Sequence, residues 1–461
     1  MKDLINLKKK GYKIEPNWQN LSSRSIFFLN TNDKTNFIKY QKKAMGKKCK
    51  FIICKKKFKI QSRFKNLQYF YFEDNKKLFY IAKLFFKPLK LKTIFITGTN
   101  GKTSVAYGSH QLMSLNKINT CYIGTLGFYL NGKKIKDLKN TTPSFFELLI
   151  LLSIAENSSA DYAFIETSSI GFCDGRLGFL KYDIGFLTNL KSDHLDYHKS
   201  LKNYHDAKLN LLREHSHKKS KILIQDIFLL KKLKKIQNDV LSQDNFVNES
   251  KLEINQINSR NHEIKSKFGS YKVSTLNYYV MKNIISMIFI YVSLLKKWPN
   301  KITKRIFAKG RSEIVYENDK CIILVDYAHS SDAFVNLLTS FYNNYDNKIV
   351  LYGCGGNRDK TKRPKIAKAV SKYTNIQIIT DDNPRDENPK LIRDTLFDYS
   401  TNPINIAGRE KAIKYAVKLV KKIGGILIVA GKGHENTQTI KSKSYKFSDH
   451  LIIKKYAKNF Q

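Results

Sequence analysis

Residues 94–104 read Ile94-Phe95-Ile96-Thr97-Gly98-Thr99-Asn100-Gly101-Lys102-Thr103-Ser104. An apolar strand is predicted to end in a glycine-rich turn, and a helix to begin near Thr103. The backbone N–H groups of such a turn can face an anion because glycine has no Cβ. Lys102 can reach the β- and γ-phosphates, the Thr103 hydroxyl can complete a Mg²⁺ shell, and the helix dipole favours the phosphates. The pattern therefore predicts a nucleotide triphosphate site.

The turn differs from the general phosphate-binding loop in its length. Two residues, Thr99 and Asn100, separate its glycines, whereas the general pattern has four. A turn that merely caps a helix is the alternative, because a Gly-Lys-Thr is easily found by chance in a lysine-rich chain. The preceding strand and the two glycines favour phosphate binding.

The composition points to a multidomain globular chain. With 461 residues, of which 42% are hydrophobic, two or three domains are expected. A formal net charge of +45 would ordinarily suggest nucleic acid or an anionic membrane. Lysine, isoleucine, asparagine, phenylalanine and tyrosine are all abundant, however, and share A/T-rich codons. Because the lysines are also scattered, we expect no nucleic-acid partner, and only a polyanionic small substrate to be attracted.

The chain carries no sign of export or membrane insertion. Its six cysteines are far apart and form no C-x-x-C pair, which indicates free thiols in a reducing compartment. The amino terminus lacks the apolar segment of a signal peptide. The apolar stretch from Ile284 to Leu295 is shorter than the ~20 residues of a membrane span and predicts a core helix. We expect a cytoplasmic protein, and a monomer.

Strands and helices alternate along most of the chain, which predicts an α/β fold. After the strand of the glycine-rich turn, apolar strands that end in polar loops are predicted at Tyr162–Ile165, Asp183–Leu187, Cys321–Val325, Lys348–Tyr352, Ile376–Ile379 and Gly425–Ala430. In parallel sheets, sites gather at the carboxyl ends of the strands. We therefore predict two α/β domains, 91–307 and 308–461, behind a small α/β domain at 1–90.

Two polar clusters follow predicted strands of the central domain. Glu166, at a strand end near the glycine-rich turn, could be a Mg²⁺ ligand or a water-positioning acid, and a surface glutamate capping a turn is the alternative. The segment 188–198 gathers Asn, Asp and His side chains. Because histidine is an uncommon ligand of Mg²⁺, composition alone does not assign His194 to a metal.

Several motifs together resemble those of the Mur ligase family, the ATP-dependent amide-forming enzymes of peptidoglycan synthesis. They are the shortened loop Thr97–Thr103, Glu166-Thr167-Ser168-Ser169, the Thr-Asn-Leu…Asp-His-Leu-Asp-Tyr-His segment of 188–198, and Asp326-Tyr327-Ala328-His329. They occur in order from about residue 92 to the end. The resemblance implies three domains: a UDP-binding amino-terminal one, a central P-loop ATPase-like one and a Rossmann-like carboxyl-terminal one.

A finer resemblance is to family members that add meso-diaminopimelate to UDP-N-acetylmuramoyl-L-alanyl-D-glutamate. It rests on Asn140-Thr141-Thr142-Pro143, Gly353-Cys354-Gly355-Gly356-Asn357-Arg358-Asp359-Lys360, Asp382-Asn383-Pro384-Arg385 and Gly431-Lys432-Gly433-His434-Glu435. ATP and Mg²⁺ are the implied cofactors, and the two small molecules are the implied substrates.

The resemblance also implies roles for single residues. The implied catalytic residues are Lys102, Glu166, His194 and Lys208. The implied metal ligands are Thr103, Glu166, His194 and, if carbamylated, Lys208. The implied nucleotide contacts are Gly98, Thr99, Asn100, Gly101, Lys102, Thr103, Ser104, Asn283, Arg311 and Asp326. The implied substrate contacts are Ser23, Thr141, Thr142, Ser168, Arg176, Arg358, Asp382, Asn383, Pro384, Arg385, Gly431 and Glu435.

Arg385 is expected to select the amino acid. In the family pattern it would grip the distal carboxylate of diaminopimelate, which lysine lacks, and Glu435 would receive the ammonium end. A bidentate guanidinium–carboxylate pair in a partly desolvated pocket discriminates strongly. By itself, Arg385 could equally be a solvated arginine in a turn.

The chain departs from the family pattern in three places. Ile170 stands where a histidine is usual, Ser331 replaces a proline and is expected to loosen a loop, and the amino-terminal domain retains only Ser23-Arg24 of the uridine-binding pattern. Three alternatives therefore stay open: a folylpolyglutamate synthetase-like ligase, a basic nucleic-acid-binding ATPase, and a degenerate paralogue that binds the nucleotide sugar without ligating.

Overall fold

The structure is a computed structural model of the whole chain. It describes residues 1–461 apart from 32, 56–59, 61, 226, 231–232, 234–238, 244–246, 248–251, 257–260, 267–268, 275–277, 342–344, 442 and 459–461. Its strands form several separate sheets, of which two carry the motifs described above.

The amino-terminal region forms a four-stranded parallel sheet of order β1-β2-β3-β4. Its strands are β1 (Lys13–Glu15), β2 (Ser25–Leu29), β3 (Phe51–Lys55) and β4 (Gln68–Phe72). Its helices are α1 (Lys2–Lys9), α2 (Lys34–Gly46) and α3 (Asn75–Phe85). Asp33 and Asp74 cap α2 and α3, each accepting a backbone N–H bond. The basic, aromatic sequence of this region thus folds into a parallel sheet with helices.

The central sheet has eight strands in the order β12-β11-β10-β5-β9-β6-β7-β8. They are β5 (Lys92–Thr97), β6 (Thr120–Gly124), β7 (Gly127–Leu130), β8 (Lys133–Lys136), β9 (Tyr162–Glu166), β10 (Ile184–Leu187), β11 (Lys221–Ile224) and β12 (Val240–Ser242). The accompanying helices are α4 (Lys102–Leu115), α5 (Phe145–Asn157), α6 (Ser169–Cys173), α7 (Leu195–His198), α8 (Leu201–Glu214) and α9 (Tyr278–Leu295). A separate antiparallel sheet contains β13 (Glu253–Gln256), β14 (Asn261–Ser266) and β15 (Gly269–Ser274).

The carboxyl-terminal sheet has six strands in the order β16-β17-β21-β18-β19-β20. They are β16 (Glu313–Glu317), β17 (Cys321–Asp326), β18 (Lys348–Tyr352), β19 (Ile376–Ile379), β20 (Ile404–Asn405) and β21 (Gly425–Ala430). Its helices are α10 (Ser331–Thr339), α11 (Lys362–Tyr373), α12 (Pro389–Asp398), α13 (Arg409–Ile423) and α14 (Asp449–Lys458), and a hairpin joins β22 (Thr437–Ile440) to β23 (Lys443–Lys446).

Buried apolar side chains cover both faces of the carboxyl-terminal sheet. Along β17, Ile322 and Leu324 belong to one core with helices α10, α11 and α12, while Cys321 and Ile323 belong to the other with α13 and α14. This alternation follows from the two-residue period of a strand. Because the strand interior is buried on both faces, the strands are continuous apolar runs, which is why the sequence predicts them well.

The α/β class and most strand positions are confirmed. Lys348–Tyr352, Ile376–Ile379 and Gly425–Ala430 have the predicted bounds. Glu166, predicted to follow its strand, is instead the last residue of β9. All six cysteines are free.

The chain divides into two compact units. The first is Met1–Phe95, Ile118–Gly185 and Asn210–Ser220, and the second is Ile96–Lys117, Phe186–Leu209 and Lys221–Gln461. The boundaries of the three domains predicted from the sequence stay a prediction.

Helix α9 contains the apolar stretch noted in the sequence and is longer than predicted. Among the described helices it alone is long and apolar enough to cross a membrane by length and composition. Its side chains from Ile284 to Tyr291 are buried in the structure, as expected of a core helix.

Candidate active site

The glycine-rich turn connects β5 to α4. Gly98 and Gly101 have φ angles of +138° and +86°, which L side chains rarely adopt. A Cβ on Gly98 would lie only 1.9 Å from Thr188 Oγ1. Lys102 Nζ donates to the carbonyl oxygens of Gly98 and Thr99, both at 2.9 Å. The turn therefore requires glycine and holds the ammonium group of Lys102 against its own backbone.

The end of β10 braces this turn. Asn189 accepts the N–H of Thr99 through its carbonyl oxygen at 3.0 Å and the N–H of Asn100 through Oδ1 at 3.1 Å. The carbonyl oxygen of Asn100 in turn accepts bonds from Thr188 Oγ1 at 2.6 Å and Asn189 Nδ2 at 3.0 Å. Asn100 Nδ2 is buried and bonds to no described residue. A buried donor left over at this turn fits a bound phosphate and favours the anion site over a simple helix cap.

Asp193 lies at the centre of a charged cluster formed by Asp193, His194, His329 and Lys362, which we call the Asp193 cluster. The Asp193 side chain is 5% exposed. Its Oδ1 accepts bonds from the His194 N–H at 2.8 Å and from Lys362 Nζ. Its Oδ2 lies 3.7 Å from His194 Nε2 and 3.8 Å from His329 Nε2. Sequence reasoning did not single out Asp193 or Lys362, since 169 residues separate them.

The Asp193 cluster sets the protonation of its members. Burial alone would raise the pKa of Asp193, but His194, His329 and Lys362 outweigh it and hold that pKa well below its ordinary value. Burial lowers the pKa of His194 to about 4; the charges of Lys102 and Lys362 also lower this pKa, whereas Asp193 raises it. His194 is therefore neutral near pH 7, which is the form of histidine that can ligate a metal.

Lys208 is buried in the part of the chain that follows Asp193 and His194. It is 1% exposed, so the interpretation of a surface lysine is wrong. Its Nζ lies 4.3 Å from the ring centre of Tyr204, whose hydroxyl is 3.3 Å from Thr99 Oγ1. The structure thus brings Lys208 into the surroundings of the phosphate loop. Its carbamylation stays a prediction.

Asp326, at the end of β17, organises the chain on either side of it. Its carboxylate accepts the N–H of Ser312 at 2.6 Å and that of Ala328 at 2.7 Å. Burial raises the pKa of Asp326, and Arg311 partly opposes the change. The predicted nucleotide contact of Asp326 stays a prediction, and the observed role of its carboxylate is to hold the segment that carries Arg311.

Arg311 and Asn283 lie near the phosphate loop. The Arg311 guanidinium is 4.3 Å from the ring centre of Tyr327, and its Nη2 is 3.4 Å from Thr103 Oγ1. Arg311 Nε is buried and bonds to no described residue. A Cβ on Gly101 would lie 3.1 Å from Asn283 Oδ1. Both residues thus lie near the phosphate loop, and their predicted nucleotide contacts stay a prediction.

Glu166 lies buried in the first compact unit. Its Oε1 accepts bonds from the Tyr122 hydroxyl and from the Thr125 N–H at 3.0 Å, and its Oε2 accepts one from Thr125 Oγ1 at 3.1 Å. The Thr125 hydroxyl also lies 3.0 Å from that of Thr141. A Cβ on Gly124 would come within 2.3 Å of Glu166 Oε1. Because Glu166 is 0% exposed, the alternative of a surface glutamate is wrong.

Thr142, Ser168 and Arg176, which were predicted to contact the substrate, form one network. Thr142 Oγ1 donates to the carbonyl oxygen of Glu166 and accepts the Ser168 N–H, both at 2.9 Å. Arg176 donates to the Thr142 carbonyl oxygen at 3.0 Å and pairs with Asp174 at 2.6 Å. Thr142 is fully buried. Its observed bonds order Ser168 and Arg176, and a direct substrate contact stays a prediction.

The Asp-Asn-Pro-Arg loop packs against the glycine-rich loop after β18. Arg385 has a φ of +50°, and its Nη1 donates to the Gly356 carbonyl oxygen at 2.8 Å. The Gly356 N–H donates to the Asn383 carbonyl oxygen at 2.9 Å. A Cβ on Gly355 would lie 2.8 Å from Arg385 Nη1, so glycine allows this close approach. Arg358 is exposed. The two loops therefore hold the Arg385 guanidinium half-buried, which a solvated turn arginine would not be.

Asp382 anchors the base of this loop. It is buried, and its Oδ2 lies 4.0 Å from Arg409 Nη1. Arg409 also pairs with Asp449 through two 2.8 Å bonds. Burial raises the pKa of Asp382, and Arg409 opposes that change most strongly. Pro384 is buried, and Gly431 must be glycine because its Cβ would lie 2.8 Å from Asp382 Oδ2.

Glu435 joins this loop through a buried lysine that sequence reasoning missed. Asn383 Nδ2 donates to Glu435 Oε2 at 2.9 Å, and Lys432 Nζ donates to the same oxygen at 2.8 Å. Lys432 is 0% exposed. Lysines are seldom buried, so the sequence held no signal beyond its position between Gly431 and Gly433.

The departures from the family pattern have simple structural settings. Ser23 is exposed before β2, and Ile170 lies in α6. Ser331 is the first residue of α10, so the expected loosening of a loop is wrong. The Ser330 side chain caps that helix by accepting the Ala333 N–H at 3.3 Å.

Within the described part of the chain, no three His, Cys, Asp or Glu side chains cluster so that they could hold a metal ion. Mg²⁺ typically keeps several waters and binds through one or two protein ligands together with substrate phosphates. The hydroxyl of Thr103 therefore fits a metal that arrives with a nucleotide, and the buried donor of Asn100 fits the phosphates of that nucleotide.

Two protein-family models match the chain. Residues 96–289 match the Mur ligase middle domain, and residues 310–433 match the glutamate ligase domain of Mur ligases. Together they cover more than half of the chain.

Relatives named UDP-N-acetylmuramoyl-L-alanyl-D-glutamate–2,6-diaminopimelate ligase align along most of the sequence. The relative from Clostridium botulinum is 33% identical, with 98% of this chain and 96% of the relative covered. The one from Fusobacterium nucleatum is 31% identical, with 98% and 95% covered. The one from Buchnera aphidicola is 33% identical, with 81% and 79% covered. The family predicted from the motifs is confirmed.

Solved structures share the fold. A structure described as that of a UDP-N-acetylmuramoyl-L-alanyl-D-glutamate–2,6-diaminopimelate ligase is 24% identical to this chain with a TM-score of 0.56, covering 97% of this chain and 95% of that one. The MurF ligase of Thermotoga maritima in complex with ADP has a TM-score of 0.64 at 14% identity, with 100% and 99% covered. Folylpolyglutamate synthase of Mycobacterium tuberculosis, complexed with ADP and AMPPCP, has a TM-score of 0.58 at 14% identity, with 77% and 91% covered. At these identities the likeness concerns the fold alone.

Proposed function

Because this chain belongs to the Mur ligase family, we propose that it is an ATP-dependent amide ligase of peptidoglycan synthesis. It joins meso-diaminopimelate to UDP-N-acetylmuramoyl-L-alanyl-D-glutamate. The observation that carries this proposal is that the Asp-Asn-Pro-Arg loop presents a half-buried Arg385, held by the Gly356 carbonyl oxygen, and binds Glu435 through Asn383. The relatives that bear this ligase's name align over nearly the whole chain and support the same substrates.

The reaction must activate a carboxylate, which is a poor electrophile. The γ-carboxylate of the D-glutamyl residue attacks the γ-phosphorus of ATP, forming an acyl phosphate and releasing ADP. The neutral α-amine of diaminopimelate then attacks the acyl carbon, loses a proton, and displaces inorganic phosphate. Lys102, held at the phosphate loop, neutralises charge on the transferred phosphoryl group. Asn100 supplies a further donor to the phosphates through its buried amide nitrogen.

Mg²⁺ would be held by the hydroxyl of Thr103 and by phosphate oxygens, with Glu166, His194 and carbamylated Lys208 as the further proposed ligands. When bound, it would offset the negative charge of the phosphates. Tyr122 and Thr125 hold the Glu166 carboxylate in one orientation. Lys208, at 1% exposure, is shielded from solvent in a way that suits a reaction in which water would waste ATP.

The acceptor substrate is proposed to bind through Thr141, Ser168 and Arg176, with Thr142 ordering the last two. Ser23 is the residue proposed for the uridine side. We further propose that the enzyme is a cytoplasmic monomer. Gel filtration of the purified protein tests the oligomeric state.

Amino-acid selection is assigned to two charges of opposite sign that both face the distal end of diaminopimelate. Arg385 pairs with the distal carboxylate of diaminopimelate, and Glu435 receives the distal ammonium. L-Lysine has the ammonium but lacks the carboxylate, and it would leave a half-buried guanidinium without its partner. Leaving a buried charged group unpaired discriminates between substrates far better than a change in size does.

The test is phosphate release from ATP and Mg²⁺ with UDP-N-acetylmuramoyl-L-alanyl-D-glutamate, adding meso-diaminopimelate or L-lysine in parallel. The UDP-linked tripeptide is identified by mass spectrometry. Turnover with diaminopimelate only is expected. R385K should lower kcat/KM for diaminopimelate by at least about tenfold, because lysine cannot form the bidentate pair. R305K, at an exposed position, is the matched control and should behave as wild type.

Other outcomes would change the assignment. Turnover with lysine would keep the family and refute the role of Arg385. Silence with both amino acids would favour a degenerate paralogue, and turnover with a folate and glutamate would favour the folylpolyglutamate synthetase alternative. ATP hydrolysis stimulated by RNA or DNA would favour a nucleic-acid-dependent ATPase.

A further inference from the structure

Lys432 is a fully buried charge within the amino-acid pocket. Its Nζ donates three hydrogen bonds: to Glu435 Oε2 at 2.8 Å, to Asn383 Oδ1 at 3.1 Å and to the Thr437 carbonyl oxygen at 2.7 Å. An ammonium group has three donors, so the observed bonds use all of them. Nothing in this arrangement leaves Lys432 a donor for a ligand.

These bonds fix the side-chain amide of Asn383. Its Oδ1 accepts from Lys432 Nζ and from the Thr439 N–H at 2.9 Å. With two donors directed at the oxygen, the amide cannot be turned round, because the reversed form would place its NH₂ group against them. Asn383 Nδ2 is thereby directed at Glu435.

The same bonds make the two oxygens of Glu435 different. Oε2 accepts both Lys432 Nζ and Asn383 Nδ2, while no described residue donates to Oε1. The Glu435 side chain keeps 28% of its surface exposed. Burial alone would raise the pKa of Glu435, but Lys432 and the bonds to it outweigh burial and lower that pKa. Glu435 is thus an ionised group with one oxygen anchored, while its other oxygen accepts no bond from a described residue.

We propose that Lys432 is a positioning residue for amino-acid specificity: it anchors Oε2 of Glu435 and the amide of Asn383, so that Oε1 alone receives the substrate's distal ammonium. This inference rests on the proposed function. Lys432 itself touches no substrate and acts through Glu435. Without Lys432, the Glu435 carboxylate would keep only its bond from Asn383, and the Asn383 oxygen would keep only its bond from the Thr439 N–H.

The turn around Lys432 supports this role. Gly431 and Gly433 have φ angles of +107° and +52°, and a Cβ on Gly433 would lie 2.8 Å from Tyr327 Cβ. The Glu435 N–H bonds back to the Lys432 carbonyl oxygen at 3.0 Å. The backbone therefore bends sharply on both sides of Lys432 and brings its side chain and that of Glu435 together.

The test compares K432M, which keeps the length of the side chain and removes its charge, with wild type under steady-state conditions. We expect the KM for meso-diaminopimelate to rise by about tenfold to hundredfold, as loss of a charge-assisted hydrogen bond predicts. The KM values for ATP and for the UDP-linked dipeptide should stay within about twofold. K446M, at an exposed lysine of β23, is the control and should match wild type.

A double variant separates positioning from mere stability. Replacing a buried ion pair by neutral groups is often tolerated, so K432M/E435Q should fold even if K432M does not. If Lys432 acts through Glu435, the KM for diaminopimelate in K432M/E435Q should equal that of E435Q within about twofold.

Each outcome decides between the possibilities. Independent effects that multiply in the double variant, or a K432M enzyme that loses kcat with unchanged KM for diaminopimelate, would overturn the inference. If wild type turns over diaminopimelate while K432M matches it in every constant, the inference alone fails. If wild type is silent with diaminopimelate, the proposed function fails and the inference falls with it.

Discussion

Replacing Asp193 by asparagine should loosen the segment that carries His194 while keeping its hydrogen-bond acceptor. Asp193 Oδ1 accepts both the His194 N–H and Lys362 Nζ, and asparagine retains one such oxygen. The change therefore removes the charge and leaves the geometry. The ammonium group of Lys362 then loses its buried counter-charge.

The size of the effect follows from the exposure of the pair. Two unit charges 4 Å apart attract by about 4 kcal/mol at an effective dielectric constant of about 20. Asp193 is 5% exposed, but the Lys362 side chain is 23% exposed, so solvent screens part of that attraction. We expect about 2 kcal/mol, equivalent to about a thirtyfold change in an equilibrium constant.

Hydrogen–deuterium exchange of a peptide covering residues 188–198 measures this effect locally. The His194 amide bonds to Asp193, so D193N should exchange about thirtyfold faster at pH 7. The folded-state pKa of Asp193 is depressed, so its stabilisation is present above the ordinary aspartate pKa of about 4 and is lost as the pH falls through the lower folded value. Wild type and D193N should therefore converge only in strongly acidic solution.

An exposed ion pair provides the control. Lys455 and Glu410 lie 3.2 Å apart with side chains 58% and 49% exposed, and E410Q should slow or speed local exchange by no more than about fivefold. A D193N protein that exchanges within about threefold of wild type at pH 7 would refute the reasoning. The double variant D193N/K362M provides a second test. If its acceleration of exchange equals the product of the accelerations in D193N and K362M, the two residues do not act together and the reasoning is refuted.

Two further predictions concern the phosphate loop and the core of α4. G98A should weaken ADP binding by at least about a hundredfold in calorimetry, because its Cβ would lie 1.9 Å from Thr188 Oγ1. The control is G46A, whose Cβ would have nothing within 4 Å and which should bind ADP normally. A wild-type Kd for G98A would contradict this prediction. Burial lowers the pKa of His110 to about 3, so the unfolded chain binds the proton first and stability falls as the pH drops from about 6.5 toward 3. H110L should flatten the fall of Tm between pH 6.5 and 4.5, and parallel Tm curves would count against it.

The parts of the fold set by short-range pattern could be predicted from the sequence. Strands β18, β19 and β21 have the predicted bounds, because a strand buried on both faces is an apolar run bounded by polar or glycine residues. The phosphate loop was equally visible, since its glycines and Lys102 lie within a few residues of one another.

Contacts between distant residues could not be predicted in this way. The pairing of Asp193 with Lys362 joins positions 169 residues apart, and neither residue is unusual in its own surroundings. Tyr122 donates to Glu166 from within an apolar strand, where a tyrosine is ordinarily a core residue. Lys432 resembles any other lysine of a lysine-rich chain until the fold buries it.

The brace supplied by Thr188 and Asn189 bears on how the phosphate loop could be transplanted. Four bonds to Thr99 and Asn100 come from the end of the neighbouring strand, so the shape of this loop is stored in two separate pieces of sequence. A short loop can do without internal supporting bonds when the end of a neighbouring strand supplies hydrogen bonds to its backbone. If residues 97–104 were grafted alone into another sheet, the loop would lack the four bonds from Thr188 and Asn189. The smallest segment that could be transplanted with its shape is therefore this octapeptide together with the Thr-Asn pair at the end of the neighbouring strand.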